Sequence, residues 1–420
     1  MTTTNSSYTR YRILVLSFFV AFLMYMDRAC IGSAASAIMK EFDIDKVTYG
    51  WSASLFNWAY AIFQVPGGWM ADRFGPRMIL AAAIVWWSLF TAATGLTAGA
   101  GSLAAVRALF GIGEAAAFPA ASRALVHWLP SRQRAFGQGF QHAGSRLGAA
   151  LAPAMTVFII AYFGWRAVFW LFGGIGFVVA LVWYVCYRNR PEDHASVRPE
   201  ELTLLREDKR PGTKPGGETV PWSLIVHSKE VWFLSSMYFC YGWVLWMYLA
   251  WFPTYLHEAR HFSAMQIGLA SSAPLLGATV TNVVGGWVSD QLCRRWNDVR
   301  RGRVIVSLCG FILSAIALLP GVRAESAVTS LFWFTVALAA LELTVAVSWA
   351  LSIDIGGRFS GSVSAVMNTQ GNLGGAASSV GIGYIASIWG WNWPFVVSSA
   401  LAFLAALLVS RIDPARSIAD

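Results

Sequence analysis

The 420-residue chain is predicted to be an all-α membrane protein of twelve transmembrane helices, built as two six-helix bundles related by a parallel internal repeat. Three observations lead there. Hydrophobic residues make up 56% of the sequence and charged residues only 13%, more apolar surface than a water-soluble core of this size can hide. Apolar runs of about 20 residues, the length a helix needs to cross a roughly 30 Å hydrocarbon layer, occur twelve times. A glycine-rich motif that follows the second run returns after the eighth.

In chain order the runs lie at about 13–33, 50–70, 78–97, 101–124, 137–160 and 166–187, then at about 231–255, 265–288, 303–320, 329–353, 362–388 and 391–411. The polar stretch between the two sets, 188–230, carries Pro191, Pro199, Pro211 and Pro215 among mixed charges and reads as a hydrated cytoplasmic linker. It separates an N-terminal bundle, 1–187, from a C-terminal bundle, 231–420. Gly67-Gly68-Trp69-Met70-Ala71-Asp72 recurs as Gly285-Gly286-Trp287-Val288-Ser289-Asp290, at an offset of 218 residues. Gly164-Trp165 and Phe169 are echoed by Gly390-Trp391 and Phe395, each between the fifth and sixth runs of its own half. Chains with this repeat are commonly transporters that hold a solute near the midplane.

The net charge of +9 invites a nucleic-acid reading, and the placement of the charges argues against it. With the N-terminus in the cytoplasm, 23 of the 31 Lys and Arg fall on that side and five outside: Lys40, Lys46, Arg166, Arg260 and Arg323. This is the positive-inside bias, and it puts both termini in the cytoplasm. No nucleic-acid partner is expected; the lipid bilayer is. The five cysteines show no disulfide or zinc spacing and read as small packing residues. No cleavable signal peptide is apparent, and the first run serves as its own insertion signal. There is no nucleophile with a base at motif spacing and no phosphate-cradling or metal-ligand pattern, so an enzyme is not expected, nor a metal or organic cofactor.

The pattern Gly68-x-x-x-Asp72-Arg73-x-Gly75-x-Arg77 resembles the loop signature of the major facilitator superfamily, and the resemblance covers the whole chain. It implies that fold and a gate at the cytoplasmic face, with Gly68 allowing close helix packing and Asp72, Arg73 and Arg77 forming a charged latch, echoed by Asp290. Arg73 and Arg77 as topogenic charges only is the plainer alternative.

Ionisable side chains inside a span cost at least about 2.5 to 3.5 kcal/mol each and so mark function. Asp27 and Arg28 stand about 14 residues into the first helix, roughly 21 Å along its axis. Arg107 enters from the opposite side to a similar depth, and Glu114 lies two turns further on the same face. Arg146 falls near the midplane of the fifth helix. Arg offers a bidentate fork to a carboxylate, while Asp27 and Glu114 can take and release a proton. Internal salt bridges that merely lock helices are the alternative. Asn57, Tyr60 and Gln64 form one polar stripe on the second helix. Asn368, Gln370 and Asn372 supply neutral donors in the second half, and Tyr241, Trp246 and Tyr248 could stack on a sugar face. Glu342 is a buried carboxylate without an obvious local partner, either a titrating group or the mate of a distant Arg; Asp354 and Arg358 look like a gate or cap.

Met24-Tyr25-Met26-Asp27-Arg28, Arg107-x-x-x-Gly111-x-Gly113-Glu114-Ala115-x-x-x-Phe118-Pro119, Trp251-Phe252-Pro253-Thr254-Tyr255-Leu256 and the run Asn368 to Gly374 resemble one branch of the superfamily, the anion:cation symporters. The resemblance implies carriage of a small organic anion such as a hexuronate or aldonate, with protons as the coupling ion on Asp27 and Glu114 and substrate facing Arg28, Tyr60 and Arg107. Gln64, Arg146, Asn368 and Asn372 complete the expected substrate set. Ser145-Arg146 departs from the branch, where uncharged residues are expected. The resulting expectation is a monomeric proton-coupled uptake system of a bacterial inner membrane, working by alternating access. A sodium-coupled or uncoupled carrier, an exporter, and a ligand sensor on a transporter scaffold are the alternatives.

Overall fold

The computed structural model describes residues 9–207, 220–262, 264–416 and 418, and all regular structure among them is helical. Twelve long segments run in order: α1 Thr9–Phe42, α2 Lys46–Phe74, α3 Pro76–Thr94, α4 Ala100–Trp128, α5 Arg134–Phe163, α6 Trp165–Cys186, α7 Lys229–Glu258, α8 Ala264–Trp296, α9 Val299–Arg323, α10 Ala327–Gly356, α11 Ser360–Trp389 and α12 Asn392–Ser410. Each covers one of the apolar runs to within about three residues. Several extend past them: α1 has 34 residues and α8 has 33, about 50 Å each, because a helix does not stop where the hydrocarbon does. Large apolar side chains such as Phe19, Ile62, Val178, Val380 and Leu407 are more than half exposed, as lipid-facing positions must be. The chain is a multi-pass integral membrane protein.

Local chemistry sets the helix ends. Asp45 caps α2 by accepting from the Thr48 amide at 2.8 Å, and Asp298 caps α9 by accepting from Arg301 N at 3.0 Å. Gly164 and Gly390 have φ of 77° and 81°, a left-handed turn that glycine makes without strain. Each starts a matching corner: the indole of Trp165 donates to Glu41 at the end of α1 (2.6 Å), and that of Trp391 to Glu258 at the end of α7 (3.2 Å). The second sequence echo is thus a repeated structural corner. In α7, Met247–Trp251 form a π turn directly before Phe252-Pro253. Pro253 has no N–H, and its ring would press on the carbonyl four residues back; widening the turn relieves both.

The chain packs as two compact units: 1–131, 147–220 and 358–365 in the first, 132–146, 221–357 and 366–420 in the second. Each unit therefore includes a short segment from the other half of the sequence, the first turns of α11 in one case and of α5 in the other. The first unit has a core of Met26, Cys30, Ala34, Leu103, Val168, Phe169 and Phe172. The second is built around Tyr248, Phe252, Tyr255, Phe334 and Phe395, whose rings lie 4.7 to 6.4 Å apart in mostly edge-on contacts. In the linker, Pro199–Glu207 forms a helix that docks on the start of α1: Glu201 is 4% exposed and accepts from the Arg10 amide at 3.0 Å. That part of the linker is packed where the sequence reads as hydrated. Residues 208–219, with Pro211 and Pro215, lie outside the described residues.

Candidate functional site

Six of the intramembrane residues singled out from the sequence lie in the first unit. α1 contributes Asp27 and Arg28, α4 Arg107 and Glu114, and α2 Tyr60 and Gln64, all buried except Arg28, whose side chain is 15% exposed. Arg28 Nε donates to Glu114 Oε2 at 2.6 Å. Its guanidinium carbon lies 4.4 Å from the Tyr60 ring centroid and 5.0 Å from those of Tyr25 and Phe56. Arg107 lies over Phe56 and Phe110, at 5.1 and 4.5 Å. Aromatic faces hold a cation while leaving its N–H groups available to an anion. Gln64 donates to the Tyr60 hydroxyl at 3.2 Å, while Asn57, the third residue of the expected stripe, is exposed.

What this cluster leaves unpaired matters as much. No hydrogen bond of good geometry reaches either carboxylate oxygen of Asp27, whose neighbouring donor is the Trp87 indole, and Glu114 Oε1, Arg28 Nη2 and Arg107 Nε have none among the described residues. Arg107 and Glu114 act on Asp27 electrostatically. Buried polar atoms are nearly always satisfied, so such a concentration of exceptions marks a place where another polar group belongs.

Arg146 is elsewhere. In the second unit its guanidinium makes a two-pronged pair with Glu342, Nε to Oε2 and Nη2 to Oε1, both at 3.0 Å, joined by Tyr241 and Asn282. The distant Arg is therefore the mate of Glu342. Tyr241 is used in this network, and Tyr248 donates to the Phe334 carbonyl at 2.9 Å, so both are core groups in this structure. Asn372 donates to the Asn368 carbonyl along α11 at 2.8 Å.

The repeated glycine-aspartate motif builds the same device twice. In the first unit Asp72, at the end of α2, accepts from Gly361 N (3.0 Å), Ser362 N (2.7 Å) and Ser362 Oγ (2.8 Å) at the start of α11. In the second, Asp290, at the end of α8, accepts from Phe136 N (2.7 Å) and Ala135 N (3.4 Å) at the start of α5. A carboxylate there meets unsatisfied amides and the positive end of the helix dipole. Gly68 makes the approach possible, since a Cβ on it would lie 2.5 Å from Gly361 O and Ala365 Cβ. Gly286 stands in the same way against Ala135 O. The cation facing Asp72 is Arg123 (3.3 Å), and that facing Asp290 is Arg303 (2.6 Å), which also reaches Asp354, itself paired with Arg134. Arg73 packs over Trp69 and Phe74, and Arg77 over Tyr184 with a hydrogen bond to the Tyr184 carbonyl at 3.0 Å. Nothing in the sequence separates Arg123, near the end of α4 and nine residues beyond Glu114, from the topogenic charges.

Comparison with known proteins places this geometry in a family. The model described as Major Facilitator Superfamily matches residues 17–379 and 256–419, and the chain belongs to that superfamily of transporters. Among its relatives, the probable sulfoacetate transporter of Cupriavidus necator is 34% identical over 407 residues, 97% of this chain and 94% of that protein. The D-galactonate transporter of Escherichia coli is 31% identical over 409 residues, 95% and 94%. These relatives fit a member of the anion:cation symporter type. The solved structure of the proton:xylose symporter XylE aligns with a TM-score of 0.79 over 96% of this chain and 95% of that one; at 15% identity this is a likeness of fold.

Proposed function

We propose that the protein takes up a small organic anion, a sugar acid of the hexuronate or aldonate kind, together with protons, by alternating access in a bacterial inner membrane. The observation that carries the reading is the set of buried Asp27, Arg107 and Glu114 with the partly buried Arg28, two carboxylates and two guanidiniums with several unpaired polar atoms. Its formal charges cancel. A monoanion joining it would add an uncompensated charge in a low-dielectric site, which costs several kcal/mol. Proton uptake by Asp27 or Glu114 removes that cost, and uptake by Glu114 also frees Arg28 for the incoming carboxylate. Binding of anion and proton then favour each other, which is what symport requires. Tyr60 and Gln64 beside this set are neutral groups suited to hydroxyls, and the relatives named for galactonate and sulfoacetate support an acidic solute.

The test is uptake of radiolabelled galactonate, glucuronate, galacturonate, glucarate and sulfoacetate into proteoliposomes, with an inward proton gradient, an inward sodium gradient, or neither. Stimulation of a sugar acid by the proton gradient alone is expected. Stimulation by sodium alone would replace the coupling ion, and transport of sulfoacetate alone would replace the substrate class.

A further inference from the structure

Arg146 and Glu342 form a second charged group within the spanning helices, and it is finished in a different way from the first. Glu342 Oε1 accepts from Arg146 Nη2 at 3.0 Å and from the Tyr241 hydroxyl at 2.8 Å. Its Oε2 accepts from Arg146 Nε at 3.0 Å and Asn282 Nδ2 at 2.9 Å. Four donors converge on one fully buried carboxylate, which fills its acceptor sites. The directions are fixed. Asn282 Nδ2 also meets the Ala278 carbonyl at 2.9 Å, so the amide nitrogen is the atom turned toward Glu342. Tyr241 Oη accepts from Arg146 Nη2 at 2.9 Å, so its own proton points to Glu342. In this arrangement the Glu342 carboxylate accepts at all four contacts and donates at none.

The internal repeat relates this group to the first one. Asn282 lies 218 residues after Gln64, the offset of the repeated glycine-aspartate motif, and Glu342 sits on α10 as Glu114 sits on α4. Glu114 has one hydrogen bond and a bare oxygen, whereas Glu342 has four. The groups around the pair are His142 and Arg146 on α5, Tyr238 and Tyr241 on α7, Asn282 on α8 and Glu342 on α10. Among these Glu342 is the carboxylate and Arg146 the guanidinium.

We propose that Arg146, Tyr241 and Asn282 constitute a carboxylate-binding site in the second unit, occupied by the chain's own Glu342 as a tethered ligand. Glu342 is then a positioning residue that fixes Arg146 and the first turns of α5; it carries no proton in transport. The site recognises a small carboxylate, and it opens to a soluble one when the tether is cut.

Glu342→Ala protein in detergent is melted in formate, acetate or chloride at equal ionic strength. Formate and acetate should raise its melting temperature over chloride by about 5 °C, saturably, and only above the acid's own pKa. Wild-type protein and the double variant Arg146→Ala/Glu342→Ala should show no carboxylate-specific rise. Indifference of Glu342→Ala to the anion overturns the site. If Glu342→Ala does not fold, the double variant decides: it should fold and melt above Arg146→Ala, because removing both charges spares the buried orphan, and failure to do so overturns the proposal. None of these readings depends on transport. In proteoliposomes, Glu342→Gln should keep the wild-type ratio of gradient-driven accumulation to exchange; exchange without accumulation would make Glu342 a proton carrier and end the proposal.

Discussion

Arg28 is held by one short bond to Glu114 and by three aromatic faces, and that pairing separates what a guanidinium can do from what an ammonium can. A lysine would keep the charge and lose both the planar stacking and the fork. Arg28→Lys and Arg107→Lys should each raise the KM for substrate about 10- to 100-fold, the loss of one charge-assisted hydrogen bond, read by initial-rate uptake. Full affinity would make these arginines structural. Asp27→Asn and Glu114→Gln should abolish accumulation driven by a proton gradient while sparing counterflow of substrate. Unchanged accumulation would remove the residue from coupling. The positions of these residues were legible in the sequence, because a charge inside an apolar run stands out and helix rise converts residue counts to depth. Their pairing was not. Arg146 was at the right depth to join them, yet its mate lies 196 residues away on α10, and only tertiary packing selects between partners at equal depth.

At the scale of the element, the ends of α2 and α8 act as caps for helices far away in sequence. Asp72 and Asp290 each satisfy two amides that a helix leaves open and each faces a buried arginine. Asp72→Asn would retain part of the amide bonding and strand Arg123, which should cost about 3 kcal/mol of stability, measured by thermal unfolding. Gly68→Val should cost about 1 to 3 kcal/mol by pushing the first turn of α11 from α2. A Gly68→Val protein as stable as wild type would mean that the contact yields. The motif that places these aspartates was readable as a repeat, since glycines and an acid in fixed register are a local pattern. Its partners, the amides of Gly361, Ser362, Ala135 and Phe136, were hidden, because a backbone amide leaves no mark in a sequence.

For the whole molecule, the asymmetry of Lys and Arg predicts both termini inside. Alkaline phosphatase fused after Asp43, between α1 and α2, should be active, and a fusion after Asn189 should be inactive; the reverse pattern would invert the orientation. The twelve helices were legible because a bilayer filters sequence for length and hydropathy. The packing units were less so, since 132–146 and 358–365 each belong with the opposite half. Within the second unit, the first turns of α5 are held at the Phe136 amide on Asp290 and at the Arg146 side chain on Glu342, about ten residues apart, or some 15 Å and just under three turns. Removing one residue between them shortens that span by only about 1.5 Å but swings everything beyond it by about 100°. Mutation can therefore change the letters of this stretch far more freely than their number: over evolutionary time it tolerates spelling errors and rejects frameshifts in space.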